Sequence, residues 1–256
     1  MSTQLTTASG GNIVAPAGSW ADRFGKLATL NAEKAAAAQS DSGTVGAWIT
    51  ANAGLLSFKG SPVAGNYLDV IVIDACRENQ YYDARFDRDN KRSPICYAFG
   101  DDDKTMEVSK DCEKPQAASC DACEHNKFGT SETGKGKACK NVMRIGVIPA
   151  SPVDSDFLSR VDPAWIKVPV MSVKNYLAYV QLVKAKYGRP TFGVITRVAV
   201  KPDPRAQFVW TFEDIAPLPE DNALQNVIEA RYNQIFDLIQ FPHKKNDAAP
   251  DASRLK

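Results

Sequence analysis

Histidine is nearly missing from this chain: His125 and His243 are the two it has in 256 residues. Neither stands in a Ser-His-Asp or Cys-His pattern, so hydrolysis through an activated nucleophile has no visible machinery. Net charge is also missing, at +1, and attraction to a polyanion must therefore come from local patches. No apolar run approaches the length that spans a bilayer, which argues against a membrane protein. Residues 1–17 lack the basic-then-apolar order of a secretory signal, and this predicts an intracellular, cytoplasmic protein. The carboxylates do not converge either. Asp69 and Asp74 are five apart in one strand-like stretch and face opposite sides, while two-metal phosphoryl transfer needs carboxylates meeting from separate strands. A metal-dependent nuclease built on these and on residues 101–103 is the weakest reading, and the chain reads as a non-enzyme.

What is present is an ordinary globular composition, 44% hydrophobic and 24% charged, in a chain long enough for one large domain with additions. Residues 1–18, rich in Ser, Thr, Gly and Ala, read as a flexible lead. A helix is expected over 20–39 after Ser19. Short strands are expected at 48–50 and 55–58, and the stretch 67–74 is the strongest strand signal, almost continuously β-branched and so buried on both faces. Further strands are expected at 95–99, 142–148 and 165–170, and a hairpin at 192–200 and 207–212 across the turn 201–204. Ser172 is expected to cap a helix burying Val173, Tyr176, Leu177, Val180, Val183 and Tyr187, stopped by Gly188 and Pro190. A last helix begins near residues 219–221 with a stripe of Leu224, Val227, Ile228, Tyr232, Ile235, Leu238 and Ile239. The tail 242–256 reads as loose. Strands this consecutive, with so few helices, argue for a β-rich α+β protein rather than a doubly wound one. The fold expected is an OB-type Greek-key barrel with flanking helices, a single domain over 19–241 with an insertion at about 96–140.

That insertion holds five of the six cysteines. Residues 100–138 show no apolar periodicity, and a loop of that length needs a staple. Cys120 and Cys123, two residues apart, have the spacing of a metal knuckle, and Cys139 follows among Gly134, Gly136 and several lysines. These three are the expected ligands of a structural zinc ion. Cys96, at the mouth of the loop, is favoured over Cys112 as the fourth, with His125 a third candidate close to Cys123. Cys76 ends an apolar strand and reads as a buried thiol. Clustered cysteines without a secretory signal suit a metal better than disulfides, and nothing resembles the strand-to-helix setting of a Cys-x-x-Cys oxidoreductase.

Cations and rings alternate in two places. Lys127, Phe128, Lys135, Lys137, Lys140 and Arg144 form one cluster with the single acid Glu132; Tyr81, Tyr82, Arg85, Phe86, Arg88, Lys91 and Arg92 form the other. Cations that track phosphates and rings that stack on bases are what single-strand binding requires. A solvated basic face, with Tyr97 and Phe99 in the core, is the plainer alternative.

With these motifs the chain resembles a family of bacteriophage single-stranded DNA-binding proteins. The likeness rests on residues 93–98 (Ser-Pro-Ile-Cys-Tyr-Ala), the knuckle Cys120-x-x-Cys123-x-x-Asn126-x-Phe128-Gly129, the stretch 134–140 and the stretch 168–174, within roughly residues 45–215. The resemblance implies an OB-type fold, sequence-tolerant binding of single-stranded DNA in phage replication or recombination, contact with proteins of those processes, and Cys96, Cys120, Cys123 and Cys139 as zinc ligands. It also implies the cytoplasm of an infected bacterium as location. The end of the chain departs from the pattern: residues 243–256 are not the acidic tail by which such proteins recruit partners. A homo-oligomer is left open, since the end helices could pack on the barrel or pair two copies. The competing reading is a zinc-stapled protein-interaction or structural module.

Overall fold

The computed structural model describes residues 46–85, 92–102 and 105–243, the side chain of Asp237 apart. Contacts divide the chain into Met1–Gly43 and Thr44–Lys256, and the described residues belong to the second unit. The lead at 1–18 and the helix expected over 20–39 lie outside them.

The strongest strand signal becomes the longest strand. β4 (Tyr67–Tyr81) pairs along one edge with β6 (Lys140–Pro149); its other edge is shared by β8 (Val194–Asp203), opposite residues 67–70, and β5 (Cys96–Gly100), opposite residues 77–81. Around it stand β1 (Ala47–Asn52), β2 (Leu55–Phe58), β3 (Ser61–Pro62), β7 (Ala164–Val168) and β9 (Gln207–Pro217). The pairing path runs β3-β2-β1-β7-β6-β4-β8-β9, with β5 beside β4, and only the β1–β7 pair is parallel among the described strands.

A bulge in β4 between Val72 and Asp74 decides which residues face where. Val70, Val72 and Ala75 join one core, while Ile71, Ile73 and Cys76 join the other. One extra residue flips the alternation that follows it, so Asn79 and Tyr81 end on one face and Glu78 on the opposite one. Each face is covered by helix, a layered arrangement that buries both sides of the sheet. On one face α2 (Val170–Tyr187) buries Tyr176, Tyr179 and Val183 against Ile145, Val198 and Trp210. On the other, α1 (Ser155–Arg160) and α3 (Asn222–Leu238) bury Leu158, Leu224, Ile228 and Ile235 with Ile71, Ile73 and Trp165. Gly146 lets α3 come this close: a Cβ there would lie 2.5 Å from Ile235 Cγ2 and 3.0 Å from the Trp165 ring.

The helix ends explain two departures from expectation. α2 starts at Val170, after Pro169, and the expected cap Ser172 is fully buried, its Oγ accepting the Trp210 amide at 3.0 Å. The buried stripe is Ser172, Tyr176, Tyr179 and Val183, and Leu177 is exposed. α3 follows expectation, with Asp221 accepting the Leu224 amide at 2.7 Å as its cap. The short α1, capped by Asp154, had no counterpart in the sequence reading.

The β-rich α+β class holds, and among the described residues the sheet is not closed into the expected OB-type Greek-key barrel: the pairing path ends at β3 and at β9. β3 has two residues, one of them Pro62. The outer edge of β9 is occupied where Ser172 accepts the Trp210 amide and Asn175 Nδ2 donates to the Trp210 carbonyl at 2.9 Å. At Trp210 the helix side chains take the place of a further strand's ladder bonds.

Candidate nucleic-acid interface

The segment between β5 and β6 is built on backbone turns rather than ladders, with one bridge among the described residues, between Glu107 and Ser119. Met106 packs under Ala98 and Cys120, and its carbonyl accepts the Cys120 amide at 3.0 Å. Cys123 leads into a single 3₁₀ turn, Glu124–Asn126. The turn is fixed three ways: Asn126 N–H to the Cys123 carbonyl at 3.0 Å, Asn126 Nδ2 to the Cys120 carbonyl at 2.9 Å, and Cys139 N–H to the His125 carbonyl at 2.8 Å. The result is that Cys96, Cys120, Cys123 and Cys139 line one small cavity of about 10 Å³, together with Asn79, Tyr81, Tyr97, Ala98, Val108 and Asn126.

Burial sets the chemistry of these thiols. Cys96 is pushed up to about 11 by desolvation, against an opposing hydrogen bond from the Gln116 backbone. Cys139 is pushed up to about 12 by desolvation and then by Cys120, Cys123 and Cys96, whose negative charge it would share. Among the described residues no three or more His, Cys, Asp or Glu side chains form a group arranged to hold a metal ion. The four sulfurs thus share a cavity without standing as a finished cage. Cys112 lies outside that cavity, its sulfur accepting the Tyr97 amide at 3.0 Å and donating to the Tyr97 carbonyl at 3.1 Å. Cys76 is buried in the second core, its thiol raised to about 12 by desolvation.

Outside the cavity stands the aromatic and basic surface. Phe128 is 82% exposed, with the Lys137 ammonium 5.5 Å from its ring centroid. Lys137 is held there by Asn126 Oδ1 at 3.1 Å; that oxygen also accepts from Asn141 at 3.0 Å, and Asn141 donates in turn to Asn79 on β4. A row of three asparagines therefore connects the sheet to the surface lysine. Tyr81 stacks on His125 at 4.0 Å between centroids, 13° from parallel, and both rings are half-buried. Lys135 and Lys140 are exposed, and among the described residues neither meets a carboxylate. Lys127 pairs with Glu124 at 2.5 Å and Arg85 with Glu132 at 2.9 Å, both in the open, where such pairs exchange readily for another anion. Tyr82 turns away, its hydroxyl donating to Gln80 at 3.0 Å and raised to about 12 by burial and by Glu78. Arg92 is exposed; Phe86 and Lys91 lie outside the described residues.

Arg144 does not belong to this surface. It is fully buried, with Nη2 2.9 Å from Glu78 Oε1, Nε 3.2 Å from Glu78 Oε2, and Nη1 on the carbonyls of Ile239 and Phe241. Its guanidinium stacks over the rings of Phe241 and Phe99 at 4.0 and 4.4 Å. A charge saturated in this way cannot reach a phosphate. Burial alone would raise the Glu78 carboxyl, but the hydrogen bond with His243 and the charges of Arg144 and Lys167 hold it down at about 2. His243 also packs on Tyr97 and Phe99, so it is held in place at the start of the tail expected to be loose, while residues 244–256 lie outside the described residues. The two acids of the nuclease reading stand apart in their partners: Asp69 is gripped by Arg197 at 2.8 and 2.9 Å, while burial raises Asp74.

A larger cavity, about 310 Å³, opens between α3 and the ends of β8 and β9 and is lined mainly by apolar groups such as Phe192, Leu218, Ile228 and Tyr232; it contains none of the residues selected from the sequence. No helix among the described residues is long and apolar enough to cross a membrane. No family model, curated protein or solved structure matches the chain.

Proposed function

We propose that this protein binds single-stranded DNA with little regard to sequence, as in phage replication or recombination, and that Cys96, Cys120, Cys123 and Cys139 hold a structural zinc ion beneath the binding surface. The observation that carries the reading is the exposed Phe128 ring beside the Lys137 ammonium, with Lys135 and Lys140 nearby in sequence and, among the described residues, no carboxylate on either. An exposed ring offers a stacking face to any base, and flexible ammoniums follow a phosphate chain without reading it. Tyr81 on its His125 partner supplies a second ring at the base of the loop. The same motifs carry the resemblance to phage single-strand binders. The OB-type relation belongs to this proposal too: β4 is long, bulged and shares one edge between β5 and β8, as a strand must when it serves two parts of a partly open barrel.

Zinc suits the cysteines by number and donor type, and the four line one cavity without yet forming a cage. Four thiols face one cavity, three of them on turns fixed by the Asn126 and His125 hydrogen bonds. Burial raises the Cys96 and Cys139 thiols, a divalent cation would act in the opposite direction, and its binding would release protons. When bound, the ion would supply structure rather than catalysis, stapling the loop that presents Phe128 and Lys137.

Fluorescent oligo-dT is titrated at low and high salt, with a matched duplex as competitor and metal content measured on the same preparation. Tight, salt-sensitive binding to the single strand alone is expected, with one zinc per chain. Zinc present without oligonucleotide binding at low salt would sink the DNA reading and leave a zinc-stapled interaction module.

A further inference from the structure

Cys112 is the thiol that the cysteine cavity does not use, and its position is specific. The segment around it runs beside the start of β5: the Ser109 amide donates to the Tyr97 carbonyl at 3.0 Å and the Lys114 amide to the Ile95 carbonyl at 2.8 Å. Cys112 therefore sits across from Cys96, its sulfur 3.0 Å from the amide nitrogen of Tyr97, the residue that directly follows Cys96. Both sulfur contacts to Tyr97, at 3.0 and 3.1 Å, keep Cys112 beside the cavity wall and out of the cavity. Cys112 is half-exposed where Cys96 is buried, so a solvent-borne reagent meets Cys112 first.

We propose that Cys96 and Cys112 form an oxidation-sensitive thiol pair, through which a peroxide closes a disulfide and withdraws one ligand from the zinc site. The inference rests on the zinc reading above for its consequence, though not for the disulfide itself. In the first step the Cys112 sulfur attacks the peroxide; the O–O bond breaks, sulfur is oxidised to sulfenic acid, and the peroxide is reduced to an alcohol or water. In the second the Cys96 sulfur attacks the Cys112 sulfur; an S–S bond forms, the S–O bond breaks, and hydroxide leaves to take up a proton as water. Net, the two thiols lose two hydrogen atoms and one peroxide is consumed. A disulfide sulfur is a poor ligand, so three thiolates remain on the ion. Cys96 opens β5 and lines the cavity, so its capture by Cys112 would take one sulfur from the set it shares with Cys120, Cys123 and Cys139.

The test treats the full-length, zinc-analysed protein with hydrogen peroxide, then maps non-reduced peptides by mass while a colorimetric chelator reports free zinc. A Cys96–Cys112 cross-linked peptide, lighter by two hydrogens, should appear in step with loss of one zinc per chain, and a dithiol should restore both. Cys112→Ser, whose hydroxyl can keep both bonds to Tyr97, should keep its zinc over the same exposure. First oxidation between Cys120 and Cys123, or equal zinc loss from Cys112→Ser, overturns the proposal. So does zinc retained by Cys96→Ser and lost from Cys112→Ser, which would make Cys112 the ligand. If the untreated protein carries no zinc, the cross-linked peptide still reports on the pair, and the zinc reading fails separately.

Discussion

Replacing Phe128 by Ala separates the two forces that single-strand binding combines. The ring is 82% exposed and touches the protein chiefly through the Lys137 ammonium 5.5 Å from its centroid. Its loss should therefore change folding stability by no more than about 0.5 kcal/mol. Stacking of a base on an aromatic side chain contributes roughly 1–3 kcal/mol by alanine substitution, so the Kd for oligo-dT should rise roughly 5- to 150-fold. Phe128 carries no charge, and the slope of log K against log salt should not move. Lysine changes give the opposite pattern. If Lys127, Lys135, Lys137 and Lys140 each neutralise one phosphate, a single strand should show a slope of about −3, and Lys135→Ala should reduce it by about 0.7. The assay is fluorescence anisotropy across a salt series for wild type and both variants, with thermal melts to verify folding. Unchanged affinity in Phe128→Ala, or a slope that Lys135→Ala leaves alone, would refute the assignment of this surface.

Three further outcomes follow from the buried side of the sheet. Arg144→Met leaves the Glu78 carboxylate buried without its main cation, and urea unfolding should show a loss of about 3–5 kcal/mol, with oligo-dT affinity per folded molecule largely kept. Acid should unfold the protein through the same cluster. Glu78 is held at about 2 against an ordinary 4.5, so its contribution is complete above pH 4.5 and lost as pH falls toward 2. His243, lowered from 6.5 by burial, takes up a proton more readily when unfolded and so removes stability in the same direction, starting below pH 6.5; Glu78→Gln should flatten the limb below pH 4.5 in pH-dependent unfolding. Gly146→Ala places a Cβ 2.5 Å from Ile235 Cγ2; calorimetry should register about 1–3 kcal/mol of overpacking, and an unshifted melt would mean that α3 does not rest there.

Much of the frame was legible because local signals agreed with their tertiary use. β4 was written in Val70, Ile71, Val72 and Ile73, α3 in its apolar stripe and the acidic start at Asp221, and the loop in its lack of periodicity. The four cysteines chosen for one site do face one cavity. What escaped was set by events no spacing encodes. The bulge after Val72 reverses the faces of β4 downstream, and so sends Glu78 to a buried partner and Asn79 to the cysteine cavity. Arg144 counted as one more cation beside the lysines, although an arginine inside the apolar run 142–148 is itself a sign of a buried pair. Ser172 looked like a cap because serine often is one, whereas its hydroxyl was needed by the outer edge of β9.

The proposed binding surface and the buried ion pair are two faces of one strand pair. β5 presents Cys96 to the cavity, while Tyr97 and Phe99 pack against His243. β4 sends Asn79 through Asn141 and Asn126 to Lys137 on one face and Glu78 to Arg144 on the other. A flexible loop presenting one ring and a few lysines would lose most of its gain to the entropy of ordering them on each binding event. Here Lys137 and the knuckle are already tied to the sheet by hydrogen bonds, and Arg144 ties the sheet to residues 239–241 after α3. The rigid elements thus meet the ordering cost during folding, which is what the proposed binding role requires of a long segment with so little regular structure.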